Sequence, residues 1–361
     1  MFGGVERMLE TLAPATAGRE PIESSYALCF EGRVSQSLRS AGAHVQHLGE
    51  VHARRLHEVR RARGALRTAL DLCQPDVAFV HSAWSQAIFG PVVLESGLPL
   101  ARWLHAPQPG PRWLEYWSRR ARPALVLCNS HYTRQRIGNR FDNSTVLVQY
   151  PPATARRSDP SAREGIRTAL GTAPDAVVFV LAARLEAGKG HTTLLDALGQ
   201  LPPDGWEAWI VGGVQAPGEQ EHLGRLRKQT DDSAISNAVR FLGQRDDVPA
   251  LLAAADVYCQ PNLAPDSFGL SFVEALAAGL PVVTTGIGAS PEIIDDTCGV
   301  LIEPASVPAL AAALRGLLDH RDERRRMSAA ARTRAARFCD LSRSLASLAD
   351  AIRGASRAGT A

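Results

Sequence analysis

Lysine is almost missing from this chain. Of its 40 basic residues only Lys189 and Lys228 are lysines. A lysine at any position is therefore an unusual choice here, while an arginine carries less information. Long apolar runs are missing as well: none approaches the roughly 18 residues a membrane-crossing helix needs, so no span is expected. The cysteines Cys29, Cys73, Cys128, Cys259, Cys298 and Cys339 are scattered, without the paired spacing of zinc or redox sites. Four of the six fall in or beside apolar, strand-like runs and read as small core residues, as a reducing cytoplasm allows. No charged-then-apolar leader opens the chain, which adds to the expectation of a cytoplasmic protein. Neither half opens on Gly-x-Gly-x-x-Gly, which disfavours a dinucleotide dehydrogenase. No recognised reader motif accompanies the basic residues, so nucleic acid is not an expected partner.

What is present is an ordinary globular composition on a chain long enough for two domains: 361 residues, 45% hydrophobic and 21% charged. Apolar runs at 25–30, 43–48, 76–82, 99–104, 124–129 and 145–150 alternate with helical stretches, the pattern of a doubly wound parallel sheet. Pro151-Pro152 and the polar run to Ser161 read as a linker. Runs at 176–183, 206–213, 239–243, 257–261, 281–285 and 299–302 then repeat the alternation. The expected organisation is an N-terminal domain over 1–150, a linker over 151–175, a second domain over 176–338, and a C-terminal helix and tail over 339–361.

Residues 1–150 carry 18 arginines against 12 acidic residues, net +6, and the remainder is net −3. A basic first domain suits peripheral contact with the inner face of a membrane. Arg54, Arg55, Arg60, Arg61, Arg63 and Arg67 cluster in one predicted helix, where the ordinary meaning is a solvated face. Trp113 and Trp117 stand one turn apart, as in an interfacial helix or in one packed on a sheet.

The most informative stretch is Asp266-Ser-Phe-Gly-Leu-Ser-Phe-Val-Glu274-Ala-Leu-Ala-Ala-Gly-Leu-Pro-Val-Val. Apolar positions predict a helix over Leu270–Gly279, stopped by Gly279 and followed by a buried strand. Asp266 then lies in the loop before the helix and Glu274 one turn inside it. The amides around Phe268, Gly269, Leu270 and Ser271 fall at a helix N-terminus, where anions bind. Upstream, the strand 176–183 leads into Arg184-Leu-Glu-Ala-Gly-Lys189-Gly190, two cations in one loop. Two fixed cations can offset the negative charge of a bound anion; the bland reading of Lys189 is a solvated loop residue.

These segments resemble retaining glycosyltransferases of family four, whose GT-B fold has two Rossmann-like domains facing across a cleft. The family pattern is acid, seven residues, Glu; here Asp266 stands where Glu is usual. The resemblance implies that Glu274 binds the ribose, Asp266 the donor sugar hydroxyls, and Arg184 and Lys189 the diphosphate. It also implies same-face attack without a metal, and no cofactor beyond a UDP- or GDP-sugar donor. The acceptor would be a glycan, a lipid-linked glycan or a small molecule, as in polysaccharide and cell-envelope synthesis.

Several weaker segments join these by the same resemblance. Gly3-Gly4-Val5-Glu6-Arg7 is similar to the family's loop beside the donor phosphates, and Gln244 lies in the loop expected to hold the base. Glu292 stands in a later donor-side segment, where helix capping is the competing account. His105 and His81 end two strands. His105 matches the family's histidine facing the reacting carbon, and an ordinary strand-end histidine is the alternative for both. Ser130 reads as an N-cap. Only Met1 and Phe2 precede the Gly3-Gly4 loop, where the family has a central strand, so that strand is expected to be missing from this sequence. A GT-B nucleotide-sugar epimerase and a non-catalytic nucleotide-sugar-binding module are the alternative functions.

Overall fold

The computed structural model describes residues 4–18, 21–107, 110–154 and 160–358, and divides into two units. One comprises Phe2–Pro152 with Asp340–Ala361; the other comprises Ala153–Cys339.

In the N-terminal unit the order is α1 (Gly4–Thr16), β1 (Ser25–Leu28), α2 (Arg33–Ser40), β2 (His44–His47), α3 (Leu56–Cys73) and β3 (Ala78–Val80). There follow α4 (Ala83–Glu95), β4 (Leu100–Leu104), α5 (Arg112–Ser118), β5 (Leu125–Cys128), α6 (His131–Arg136) and β6 (Thr145–Val148). All pairings are parallel, but the strands form two sheets: β1-β2, and β3-β4-β5-β6. Among the described residues no strand lies against the second edge of β1 or of β3. Met1, Phe2 and Gly3 lie outside the described residues.

Every residue of β4 and β5 is buried, because both faces of the sheet are covered. Leu100 and Val80 meet Val59, Leu66 and Ile88 of α3 and α4 on one face. On the other, Ala101, Trp103, Leu125 and Leu127 meet Met8 and Leu12 of α1 and Leu345, Leu348 and Ala355 of the chain's last helix. The C-terminal helix therefore completes the core of the first unit.

The second unit contains α7 (Pro160–Ala169), β7 (Val177–Ala182), α8 (His191–Leu198), β8 (Trp206–Val211), α9 (Glu219–Asp231), β9 (Val239–Gly243) and α10 (Val248–Ala254). It continues with β10 (Val257–Gln260), α11 (Leu270–Ala278), β11 (Val282–Thr285), α12 (Ser290–Ile293), β12 (Gly299–Ile302), α13 (Val307–Asp319) and α14 (Arg321–Ala336). The final helix of the chain, α15 (Leu341–Ala358), belongs to the first unit. The six strands pair in parallel in the order β12-β11-β10-β7-β8-β9. The chain builds outward from β7 through β8 and β9, then returns to β10 on the other side of β7. The crevice at the carboxyl ends of β7 and β10 is thus a topological switch point, where open α/β sheets bind ligands.

Three expectations need correction. Residues 160–169, read as linker, form α7, and the second unit begins at Ala153. Arg163 holds α7 in place by donating to the carbonyls of Ala254 (2.8 Å) and Ala255 (2.7 Å) and to Asp256 Oδ1 (2.7 Å). Arg54 and Arg55 precede α3, and three of its arginines are anchors, Arg61 to the Glu50 carbonyl, Arg63 to the Ile88 carbonyl and Arg67 to Glu95. Cys128, Cys259 and Cys298 are buried, but Cys29 and Cys339 are only half-buried and Cys73 is exposed. Trp113 and Trp117 are 48% and 47% exposed, so α5 leaves both rings largely outside the core.

Candidate functional site

The loops that leave β7 and β10 are locked to one another by backbone. The amides of Leu263 and Ala264 both donate to the Gly188 carbonyl, at 2.8 and 3.3 Å. Gly190 has φ +77°, and a Cβ there would sit 1.9 Å from the Pro261 carbonyl oxygen. Only glycine permits that approach. A third loop, after β11, joins at Gly288, where φ is +67° and a Cβ would meet the Asp266 backbone oxygen at 2.4 Å. Next to it the Ala289 amide donates to that same oxygen at 2.9 Å.

This framework aims two side chains at each other. Lys189 Nζ donates to Asp266 Oδ1 at 2.5 Å, with the two side chains 17% and 21% exposed. The second oxygen, Oδ2, accepts from Asn262 Nδ2 (2.8 Å) and Gln260 Nε2 (3.2 Å). Gln260 is in turn fixed through its Oε1, 2.6 Å from the buried Tyr258 hydroxyl and 3.2 Å from Ser271 Oγ. Burial raises the Tyr258 pKa, so this hydroxyl stays protonated as a donor. Asp266 is an oriented carboxylate, and Lys189 a cation held at a set point rather than the solvated loop residue of the bland reading.

Beside the pair, α11 begins where it was expected. Gly269 turns the chain into the helix with φ +98°, and a Cβ there would strike the Phe272 ring at 2.5 Å. Leu270 and Ser271 form its first turn, whose N–H groups have no intrahelical carbonyl to bond. Phe268 is buried edge-on against Phe338 at 6.1 Å. Glu274 is half-buried one turn in, and Gly279 closes the helix in the left-handed conformation.

Other expected site residues fall around this centre. Arg184, in the loop that carries Lys189, pairs with Glu186 at 2.5 Å. Gln244 is exposed after β9 and packs on the Gly213 backbone after β8, where a Cβ would lie 2.6 Å from its own Cβ. Glu292 is in the first turn of α12, whose carbonyl end is gripped by Arg334. Gly4 opens α1 in the other unit, and Gly3 lies outside the described residues.

His105 follows β4 in the N-terminal unit, and its Nε2 is 2.9 Å from Nδ1 of His81, which follows β3. The two rings stack at 5.2 Å, with Trp103 stacked beside both. Burial lowers the His81 pKa to about 4 and that of His105 to about 3, so both rings are neutral near pH 7. Ser130 caps α6, accepting from the Thr133 amide at 3.0 Å. Sequence reasoning missed Gln260 and Asn262; polar residues closing a buried parallel strand were the available signal.

The family described as Glycosyltransferase Family 4 matches residues 2–153, and Glycosyl transferases group 1 matches residues 162–334. The chain belongs to the group 1 glycosyltransferases. A GDP-mannose-dependent alpha-(1-6)-phosphatidylinositol monomannoside mannosyltransferase of Mycobacterium tuberculosis is 34% identical over 246 residues, 64% of this chain and 62% of the relative. A D-inositol 3-phosphate glycosyltransferase of Mycobacterium marinum is 31% identical over 54% of this chain and 42% of its own length. The matched stretches thus span about half the length of these relatives. Among solved structures, the Anabaena protein HepE in complex with UDP-glucose superposes with a TM-score of 0.86 at 23% identity, covering 98% of this chain and 97% of that one. That likeness establishes for this group 1 glycosyltransferase the GT-B fold class. The described residues contain no helix long and apolar enough to cross a membrane.

Proposed function

We propose that this chain is a retaining transferase that moves a sugar from a nucleoside-diphosphate sugar to a hydroxyl of a glycan, lipid-linked or small-molecule acceptor. The observation that carries the reading is the Lys189–Asp266 pair, fixed at the switch point beside the first turn of α11. An ionised carboxylate offers about four acceptor positions. Lys189, Asn262 and Gln260 occupy three of them, which leaves room for a sugar hydroxyl.

In this reading the diphosphate lies between Lys189, Arg184 and the amides of Leu270 and Ser271. Preorganised cations and amides at a leaving group stabilise charge that develops only in the transition state. Glu274, four residues into α11, takes the ribose hydroxyls. Gln244 and the Gly213 backbone lie where the base would rest, and Glu292 flanks the sugar end. Retention then follows from same-face attack, with a donor phosphate oxygen accepting the acceptor's proton. The roles of Gly4 and His105 rest on the family resemblance, and that of a basic surface toward a membrane on the net positive charge of residues 1–150. The names of the relatives favour GDP-mannose and a phosphoinositide or inositol phosphate acceptor, and HepE favours UDP-glucose.

A thermal-shift screen over nucleotide sugars tests the donor, because a ligand of the native state raises its melting temperature. Magnetic resonance of the product made from the stabilising donor then reports the anomeric configuration. Stabilisation by one nucleotide sugar and a product of retained configuration are expected. An inverted product, or a rearranged donor without transfer, would overturn the proposal.

A further inference from the structure

The N-terminal unit holds a second feature, unrelated to Lys189 and Asp266. Arg102 sits in the middle of β4, a strand otherwise made of Leu, Ala and Trp, and is only 6% exposed. Its Nη1 donates to Gln86 Oε1 at 2.7 Å, and its guanidinium lies over the Phe141 ring at 5.6 Å. Its Nε is buried with no hydrogen-bond partner. Among the described residues no carboxylate forms an ion pair with it. Burying a guanidinium without a counter-charge is costly, and an anion removes that cost.

Arg102 lines a cavity of about 490 Å³ between the segments that precede β5 and β6. This is the end of the sheet opposite the one that carries His81 and His105. Arg119, Arg122 and Arg140 line the same cavity, against Glu115 and Asp142. Glu115 is already engaged by the Gly110 amide at 2.8 Å. The lining therefore has a net charge of +2, and among the described residues its most buried cation, Arg102, forms no ion pair. Burial pulls the Arg102 pKa below its ordinary value, with Arg140 adding to the drop, and the Glu115 carboxylate offsets this only in part.

We propose that this cavity binds a phosphate ester, with Arg102 donating from the floor and Arg119, Arg122 and Arg140 at the mouth. A planar guanidinium with several donors matches two oxygens of one phosphate group, which a lone ammonium does not. The volume suits a phosphorylated headgroup or small sugar phosphate rather than a bare ion.

The test is calorimetric titration of the full chain with sn-glycerol 3-phosphate and with inorganic phosphate, each with and without saturating GDP and UDP. Saturable binding that persists in the presence of the nucleotides is expected. Arg102→Gln should weaken it ~10- to 100-fold, as loss of a charge-assisted bond does. Because Arg102 is buried, the surface double variant Arg119→Ser/Arg122→Ser is measured in parallel, and it should weaken binding ~3- to 30-fold with an unchanged melting temperature. A vesicle arm compares phosphatidylglycerol with phosphatidylcholine, since α5 also exposes Trp113 and Trp117. Arginine-dependent binding to phosphatidylglycerol alone identifies a lipid headgroup as the source, and binding of the soluble ester identifies a free phosphate ester. No saturable binding of any probe with the nucleotides present, or binding unaffected by both variants, would overturn the proposal.

Discussion

Gly190→Ala puts the framework of the site under direct strain. The added Cβ would lie 1.9 Å from the Pro261 carbonyl oxygen and 2.7 Å from its carbon. Ordinary contacts need more than 3 Å, so the two loops must part by roughly an ångström. Alanine at φ +77° also costs about 1–2 kcal/mol of backbone strain, and overpacking adds about 1–3 kcal/mol. The separation pulls on the Leu263-to-Gly188 bond of 2.8 Å and on the 2.5 Å Lys189–Asp266 contact. A misplacement of this size can lower turnover by about 10²-fold. The assay is a thermal melt together with donor turnover, and Gly188→Ala is the control. At position 188 the new Cβ meets only the Ala264 Cβ, at 3.1 Å, so a small adjustment suffices and the effect should be much weaker. A Gly190→Ala protein with parental melting temperature and parental turnover would refute the claim that close approach of these loops sets the site.

Other consequences are equally open to measurement. Asp266→Glu moves the carboxylate by one methylene; it should change the preference among donor sugars in competition assays while nucleoside diphosphate affinity stays similar. Glu274→Gln should weaken the bare nucleoside diphosphate by about 1.5–3 kcal/mol, the value of a charge-assisted bond, and calorimetry reads this directly. The histidines set a pH dependence. His81, His105 and His191 have folded pKa values lowered by burial to about 4, 3 and 4, against 6.5 for the free side chain. Between those values the unfolded chain binds more protons, so stability is lost as pH falls from about 6.5 toward 4. The melting temperature should drop through that window, and His81→Gln should flatten the curve; a wild-type curve level down to pH 4 would contradict the burial argument.

Much of the fold was legible because the central strands of the four- and six-stranded sheets are buried on two faces, which makes them near-continuous apolar runs. Among the described residues, all twelve strands fall within the runs read from sequence. The site centre was legible for another reason. A rare lysine, two glycine turns and two carboxylates flanking a helix start are local signals. The remainder was set by long-range contact. Helix α7 is held by arginines that reach Asp256, some 90 residues away, so its own polar sequence reads as linker. The His81–His105 contact exists because β3 and β4 are neighbours, a strand order that no local pattern reveals. Gln260 and Asn262 went unnoticed because their role depends on which way the end of β10 points them. Trp113 and Trp117 have a spacing that suits two environments, and only the packed structure chose the exposed one.

The central claim is that Lys189 and its surroundings hold the diphosphate of a nucleotide sugar. Calorimetric titration of GDP and UDP into the full chain and into Lys189→Ala tests it most directly. One saturable site for one of the two nucleotides is expected, weakened by at least ~10-fold in Lys189→Ala, together with a fall in melting temperature because the substitution leaves Asp266 without its ion-pair partner. Equal nucleotide affinity in the two proteins, or no binding of either nucleotide to the parent, would contradict it.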